Sequence, residues 1–173
     1  MIGVWKEDAL KLRALEPEDL DFLYSIENDA ELWDVGNTNV PYSRFSLNNY
    51  LLSSSSDIYA DKQVRLVMED KDGTPVGLLD IFNFEPRHHR AELGIAVEKR
   101  VRNHGYGCKA VRMAVEYARN IIHLHQLCAV VDIDNTSSLK IFQEAGFSKG
   151  AILKDWIFYG KKYHDALMMQ IFL

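Results

Sequence analysis

Arg102-Asn103-His104-Gly105-Tyr106-Gly107-Cys108 decides the fold, because of what stands on either side of it. An apolar alternating segment, Ala91 to Val97, runs into the stretch, and a helical pattern from Lys109 to about Asn120 leaves it. A strand that stops at a glycine turn and opens directly into a helix is built to hold phosphate. The first helical amides have no intrahelical partner, carry partial positive charge and are satisfied by an anion. Glycine lets the backbone come close with no Cβ in the way. No G-K-[ST] follows, so the stretch is not a Walker loop. The third glycine of a dinucleotide fingerprint is missing, and no βαβ unit opens the chain.

Upstream of this loop, Ala9 to Ala14 alternates as a strand, and Pro17 starts a helix that carries Leu20, Phe22, Leu23 and Ile26 to about Asn28. Asp34 to Pro41 reads as a loop, Ser43 caps a second helix, and Ser53 to Ser56 reads as a surface loop. Strands at Gln63 to Glu69 and Pro75 to Phe84 meet at Asp72-Gly73, and Pro86 to Arg90 is a polar turn before the strand that enters the loop. Downstream, Ala110, Val111, Ala114, Val115, Ala118 and Ile122 share one helix face. Leu127 to Val131 has the composition of a strand buried on both faces. A helix from Thr136 to Glu144 ends at Gly146, and a closing hairpin turns at Tyr159-Gly160. The order βααβββαβαββ predicts an α/β (α+β) fold, a mixed sheet with helices on its faces.

The 173 residues, 47% hydrophobic, fit one domain over 1–173. A formal charge of -5 argues against a nucleic-acid partner and favours a cationic substrate. No run reaches the length of a membrane span and the N-terminus shows no signal-peptide pattern, so no membrane partner and a cytoplasmic location are expected. Cys108 and Cys128 make no disulfide framework. No metal site is expected: His123 and His125 have strand-type spacing, but no carboxylate or cysteine pattern supports them.

The element order, the R-x-x-G-x-G loop, and Asn135-Thr136-Ser137-Ser138 followed by Glu144-Ala145-Gly146-Phe147 together resemble the GCN5-related N-acetyltransferase (GNAT) superfamily. Within it the chain is similar to the branch of spermidine N-acetyltransferases and ribosomal-protein N-terminal acetyltransferases. His89-Arg90-Ala91-Glu92-Leu93 and Tyr163-His164-Asp165-Ala166-Leu167-Met168 look most like the spermidine enzymes. The resemblance implies acetyl-CoA as co-substrate, a primary amine as acceptor, and a homo-oligomer, dimer or higher. It implies a sheet splayed between its fourth and fifth strands, at 91 to 97 and 127 to 131. The pantetheine arm would lie as an added strand beside Gly94, Ile95, Ala96 and Val97. The pyrophosphate would sit on Arg102, Asn103, His104, Gly105, Tyr106, Gly107 and Cys108, and Asn135 would contact the arm.

The implied reaction is direct attack of an amine on a thioester. A primary amine with a pKa of about 10 must first lose a proton at neutral pH, and a carboxylate can take it. Glu92 is the candidate base; otherwise it is a cross-strand partner of Arg90 or Arg65. A backbone amide at or near Ile95 would hold the oxyanion. At Phe142, where relatives carry the tyrosine that protonates the thiolate, the hydroxyl is missing, and Ser138, one turn earlier, is the substitute. Glu31, Trp33, Asp34 and Asp80, with Glu92, are the candidate acceptor-binding residues, though Asn37 to Tyr42 lacks the paired acids of the spermidine enzymes. A peptide N-terminus as acceptor, or a silent acyl-CoA-binding sensor in view of Phe142, are the competing expectations.

Overall fold

The computed structural model describes residues 5–7, 9–33, 40–53, 55 and 57–173, apart from the side chains of 7 and 33. Eight strands form one sheet in the order β1-β2-β3-β4-β5-β6-β8-β7. Their spans are β1 Lys6–Glu7, β2 Leu10–Ala14, β3 Val64–Asp70, β4 Pro75–Glu85, β5 Arg90–Val97, β6 Gln126–Asp132, β7 Ser148–Tyr159 and β8 Lys162–Phe172. All neighbours are antiparallel except β5 and β6, which the helix α5 (Tyr106–Tyr117) connects in parallel. The expected mixed sheet is thus present.

Each face of the sheet is covered by helices whose apolar stripe the sequence dictates. On one face lie α1 (Leu20–Glu27) and α3 (Arg44–Ser53), which bury Leu23, Ile26 and Leu47 against Val67 and Leu78. Ser43 caps α3 as expected, its Oγ accepting the Ser46 amide at 3.0 Å. On the other face α5 buries Ala110, Val111, Ala114 and Val115 against Leu66, Met68, Leu79, Ile81 and Leu93. A fully buried aliphatic side chain contributes roughly 1.5–3 kcal/mol, so this face anchors the loop that precedes α5. α6 (Thr136–Glu144) packs beside α5.

Three local features depart from the sequence reading. The helix after the glycine loop continues through a π-type turn, Ala118–Ile122, closed by His123 at φ +58. A helical turn, α4 (Ile58–Asp61), follows the serine run, capped by Asp57. β6 is buried on one face only: Leu127, Ala129 and Val131 point into the core, while Gln126, Cys128 and Val130 are half-buried. The expected Asp34 to Pro41 loop lies mostly outside the described residues.

The splay shows in the register. β5 and β6 pair as Arg90↔Gln126, Ala91↔Leu127 and Glu92↔Cys128, and the ladder stops there. β5 runs on to Val97 paired with β4 alone, and β6 to Asp132 paired with β8 alone. Among the described residues no helix is long and apolar enough to cross a membrane.

Candidate active site

A groove of about 660 Å³ opens where β5 and β6 part, between the first turns of α5 and α6. Gly105, at φ +81, turns the chain into α5, and a Cβ built on it meets nothing within 4 Å. Gly107 has the opposite role: a Cβ there would come within 3.0 Å of Ile141 Cδ1 and 3.3 Å of Ile95 Cδ1, so the helix start seats closely on β5 and α6. Arg102 ties the loop to the end of β5, its Nε donating to the Val97 carbonyl at 3.1 Å.

Most of the expected cofactor residues line the groove: Ile95, Ala96 and Val97 of β5; Arg102, Asn103, Gly105, Tyr106, Gly107 and Cys108 at the entry to α5; Asn135 and Ser138 at the entry to α6. Three do not. His104 turns back, its Nδ1 3.0 Å from the Arg102 carbonyl. Gly94 makes room for the Phe82 ring, 3.3 Å from where a Cβ would stand. Phe142 is 2% exposed and packs edge-on against Phe147, ring centroids 5.1 Å apart, so the ring stands behind the groove wall. Asn135 caps α6, its Oδ1 accepting the Ser138 amide at 3.0 Å, which leaves its Nδ2 to meet a ligand. Sequence reasoning missed Leu32, Val101, Ser137, Lys140, Ile141 and Glu144. The α6 members Ser137, Lys140, Ile141 and Glu144 recur at spacings of three and four, a signal the sequence did contain.

The acceptor-side acids are mostly committed elsewhere. Glu31, in the helical turn α2 (Ala30–Trp33), lines the cofactor groove, ion-paired with Lys99 and 3.6 Å from Arg102. Glu31 thus meets two cations of the segment between β5 and α5. Asp80 takes both arms of Arg65, at 2.7 and 2.9 Å, and Glu27 takes a third nitrogen. Burial by itself would lower the Arg65 pKa; the charges of Asp80 and Glu27 outweigh it and hold the guanidinium firmly protonated. Asp80 is therefore half of a guanidinium pair and no open seat for an ammonium. Trp33 closes α2, with its side chain outside the described residues, and Asp34 lies outside them altogether.

Glu92 stands on the last rung before the splay, opposite Phe82 of β4 and Cys128 of β6. It pairs with neither Arg90 nor Arg65; its Oε1 accepts from Asn83 Nδ2 at 2.9 Å. Burial first, and then the Glu92 charge, push the Cys128 thiol up, so the thiol stays protonated beside the carboxylate. Ile95 lies three residues further along β5, where the ladder to β6 has ended.

His123 and His125 are separately engaged, the His123 carbonyl with His89 Nδ1 at 3.3 Å and the His125 ring with Phe172 at 5.6 Å. A group the sequence did not suggest is Asp132, Asp134 and His164, with one ligand atom from each within 4.8 Å of the others. Its internal contacts, Asp134 N–H to Asp132 Oδ1 at 2.8 Å and His164 to Asp134 at 3.6 Å, form the turn into α6.

Comparison with known proteins agrees with this geometry. Residues 9–148 match the acetyltransferase (GNAT) domain family. The spermidine N(1)-acetyltransferase of Escherichia coli (strain K12) is 28% identical over 168 residues, 95% of this chain and 86% of that protein. The crystal structure of spermidine N-acetyltransferase from Vibrio cholerae in complex with CoA and spermine superposes with a TM-score of 0.83 at 25% identity, covering 96% of each chain. A dodecameric structure of the Vibrio cholerae enzyme gives 0.80 at 25% identity, over 96% of this chain and 95% of that one. The family match spans most of the chain, and the chain belongs to the GNAT superfamily: it is an N-acetyltransferase whose co-substrate is acetyl-CoA.

Proposed function

We propose that the protein, as one domain over 1–173, moves the acetyl group of acetyl-CoA to a small primary amine, polyamine or other, by direct attack within a ternary complex. The observation that carries this is the break in the β5–β6 ladder at Glu92↔Cys128. It leaves the inner edge of β5 without a strand partner, and buried backbone groups require one. The pantetheine arm, an amide chain, fits that need. Its pyrophosphate fits the first-turn amides at the entry to α5, where the helix end favours an anion.

In this reading an incoming ammonium gives its proton to Glu92, and the neutral amine attacks the thioester carbonyl. The amide at Ile95 bonds the oxyanion; the tetrahedral intermediate, whose nitrogen is again an ammonium, gives its second proton to water and collapses with cleavage of the C–S bond and loss of the CoA thiolate. Ser138, on the groove wall, donates to the thiolate through water. A thiol of pKa about 8.5 is a fair leaving group even without this help. With Asp80 and Glu27 both paired to Arg65 and Glu31 paired to Lys99, Glu92 is the acid beside the splay with no cationic partner among the described residues, which suits an acceptor bound chiefly through one reacting amine. The two cysteines, neither in a disulfide, suit the reducing cytoplasm.

The test is acetyl-CoA turnover against a panel of monoamines, polyamines, amino acids and peptides with free N-termini. Acetylation of at least one small amine is expected. Acetyl-CoA binding with no acetylated amine in the panel would overturn the reading, and turnover confined to peptides would replace it with a protein N-terminal acetyltransferase.

We propose further that the chain is a homo-oligomer joined through the β7–β8 hairpin. Pairing of β8 with β6 ends at Asp132↔Ala166, while β7 and β8 continue to Tyr159↔Lys162. The projecting ribbon exposes Trp156 by 61%, Phe158 by 62% and Tyr163 by 66%. A two-stranded ribbon is marginal alone in water, and β7 is a long apolar edge. A second copy is the occupant that fits, and the Vibrio cholerae relative has a dodecameric structure. Light scattering should give a mass above one chain, reduced by Trp156→Asp with Phe158→Asp; a monomer at every concentration would refute the assembly.

A further inference from the structure

β4 and β5 pair rung by rung from Gly77↔Val97 to Phe82↔Glu92, and the register then jumps to Glu85↔Arg90. Asn83 and Phe84 stand in that gap on β4, against Ala91 alone on β5. Two residues against one is a β-bulge, a device that re-aims side chains. Asn83 absorbs it at φ +49, in the left-handed region that few non-glycine residues enter.

The bulge reverses the alternation of β4. Strict alternation would send Asn83 to the face of Leu79 and Ile81, both 0% exposed. Phe84 takes that core position instead, at 5% exposure. Asn83 is turned out towards Glu92, whose Oε1 its Nδ2 reaches at 2.9 Å. Phe84 holds the bulge in place. Its N–H donates to the Lys62 carbonyl at 3.1 Å, and its ring meets Tyr59 edge-on at 5.1 Å. A strained residue persists when its surroundings over-determine it, and such residues gather at functional sites.

Glu92 needs such a partner. Among the described residues no lysine or arginine pairs with it. An ionised carboxylate only accepts hydrogen bonds, so the Asn83 amide nitrogen is the group that must donate. We infer that Asn83 is a positioning residue for acetyl transfer: the bulge-borne amide fixes Oε1 of Glu92 and leaves Oε2 aimed to take the proton of the acceptor ammonium. This rests on the reading of Glu92 as the base.

The experiment compares Asn83→Gly, Asn83→Asp and Glu92→Gln in the full chain. The acceptor is spermidine, or whichever amine of the panel turns over fastest. Glycine is at ease at φ +49, so Asn83→Gly removes the amide while holding or raising the melting temperature. Aspartate also tolerates this backbone but sets a like charge beside Glu92. The expected result is a kcat lower by roughly 10- to 100-fold in Asn83→Gly and lower still in Asn83→Asp. The acetyl-CoA dissociation constant, measured by calorimetry, stays unchanged in both. A kcat within twofold of native in Asn83→Gly, beside an impaired Glu92→Gln, would overturn the positioning role alone. A kcat that falls only in step with melting temperature would mark Asn83 as structural and overturn it too. A native kcat in Glu92→Gln would remove the base itself, and the inference with it.

Discussion

At Glu92 one proton decides the outcome. Replacing the carboxylate by an amide of the same shape keeps an oxygen that can accept the hydrogen bond from Asn83, but the amide cannot take up a proton. Glu92→Gln should therefore lower kcat by about 10² to 10⁴-fold with acetyl-CoA affinity unchanged; pre-steady-state turnover and calorimetry measure the two separately. The two loop glycines make a contrasting pair. Gly105→Ala meets open space but must hold φ +81, which should destabilise the protein by about 1–2 kcal/mol. Gly107→Val has no backbone strain to bear; its side chain would drive into Ile141 and Ile95 and should abolish acetyl-CoA binding at a stability loss of roughly 1–3 kcal/mol. Thermal melts and acetyl-CoA titrations of the two variants separate them. A Gly107→Val protein that binds acetyl-CoA normally would mean that the cofactor does not use this helix start.

At the scale of elements, β2 and the entry to α1 are joined by charge. Arg13 of β2 bonds Asp19 at 2.6 and 2.8 Å and also Glu69 of β3, while the Glu16 amide donates to Asp19 at 2.9 Å. Asp19 is 4% exposed. Burial pushes its pKa up, but the Arg13 bonds and the Glu16 amide outweigh burial and hold the carboxyl below its usual value. A depressed carboxyl stabilises the fold above its unfolded pKa of about 3.9, and that contribution is lost as pH falls through the folded value. Asp19→Asn should destabilise the protein by about 3 kcal/mol at neutral pH and flatten the acid side of its stability curve. Urea melts from pH 3 to 7 would show both; an unchanged acid limb would place the pH dependence elsewhere. These elements also show where sequence reading succeeds and where it stops. The glycine loop, the apolar face of α5 and the cap at Asn135 were legible because each is set by neighbours in the chain. The bulge at Asn83 was not, because its cause is the Lys62 carbonyl, distant in sequence. Nor was the turn of Glu31 to Lys99, or the capture of Asp80 by Arg65, since residue type predicts a charge but not its partner.

Over the whole molecule, the topology explains why this sheet tolerates a gap. β5 is held by β4 along its length and β6 by β8, so each half remains a sheet where the two diverge. α5 bridges them from behind with side chains that are fully buried. Saturating acetyl-CoA at about a hundredfold over its dissociation constant adds roughly 2.7 kcal/mol of stability, which should raise the melting temperature by about 5–11 °C. Desulfo- or dephospho-analogues at equal concentration, read by scanning calorimetry, would show which end of the cofactor contributes. A melting temperature indifferent to acetyl-CoA would contradict a groove that binds it. With the pantetheine arm in the gap between β5 and β6, as proposed, folding becomes a reporter of metabolism: the chain is most resistant to unfolding and proteolysis when acetyl-CoA is abundant, so its abundance in the cell should follow the acetyl-CoA supply even where its synthesis does not.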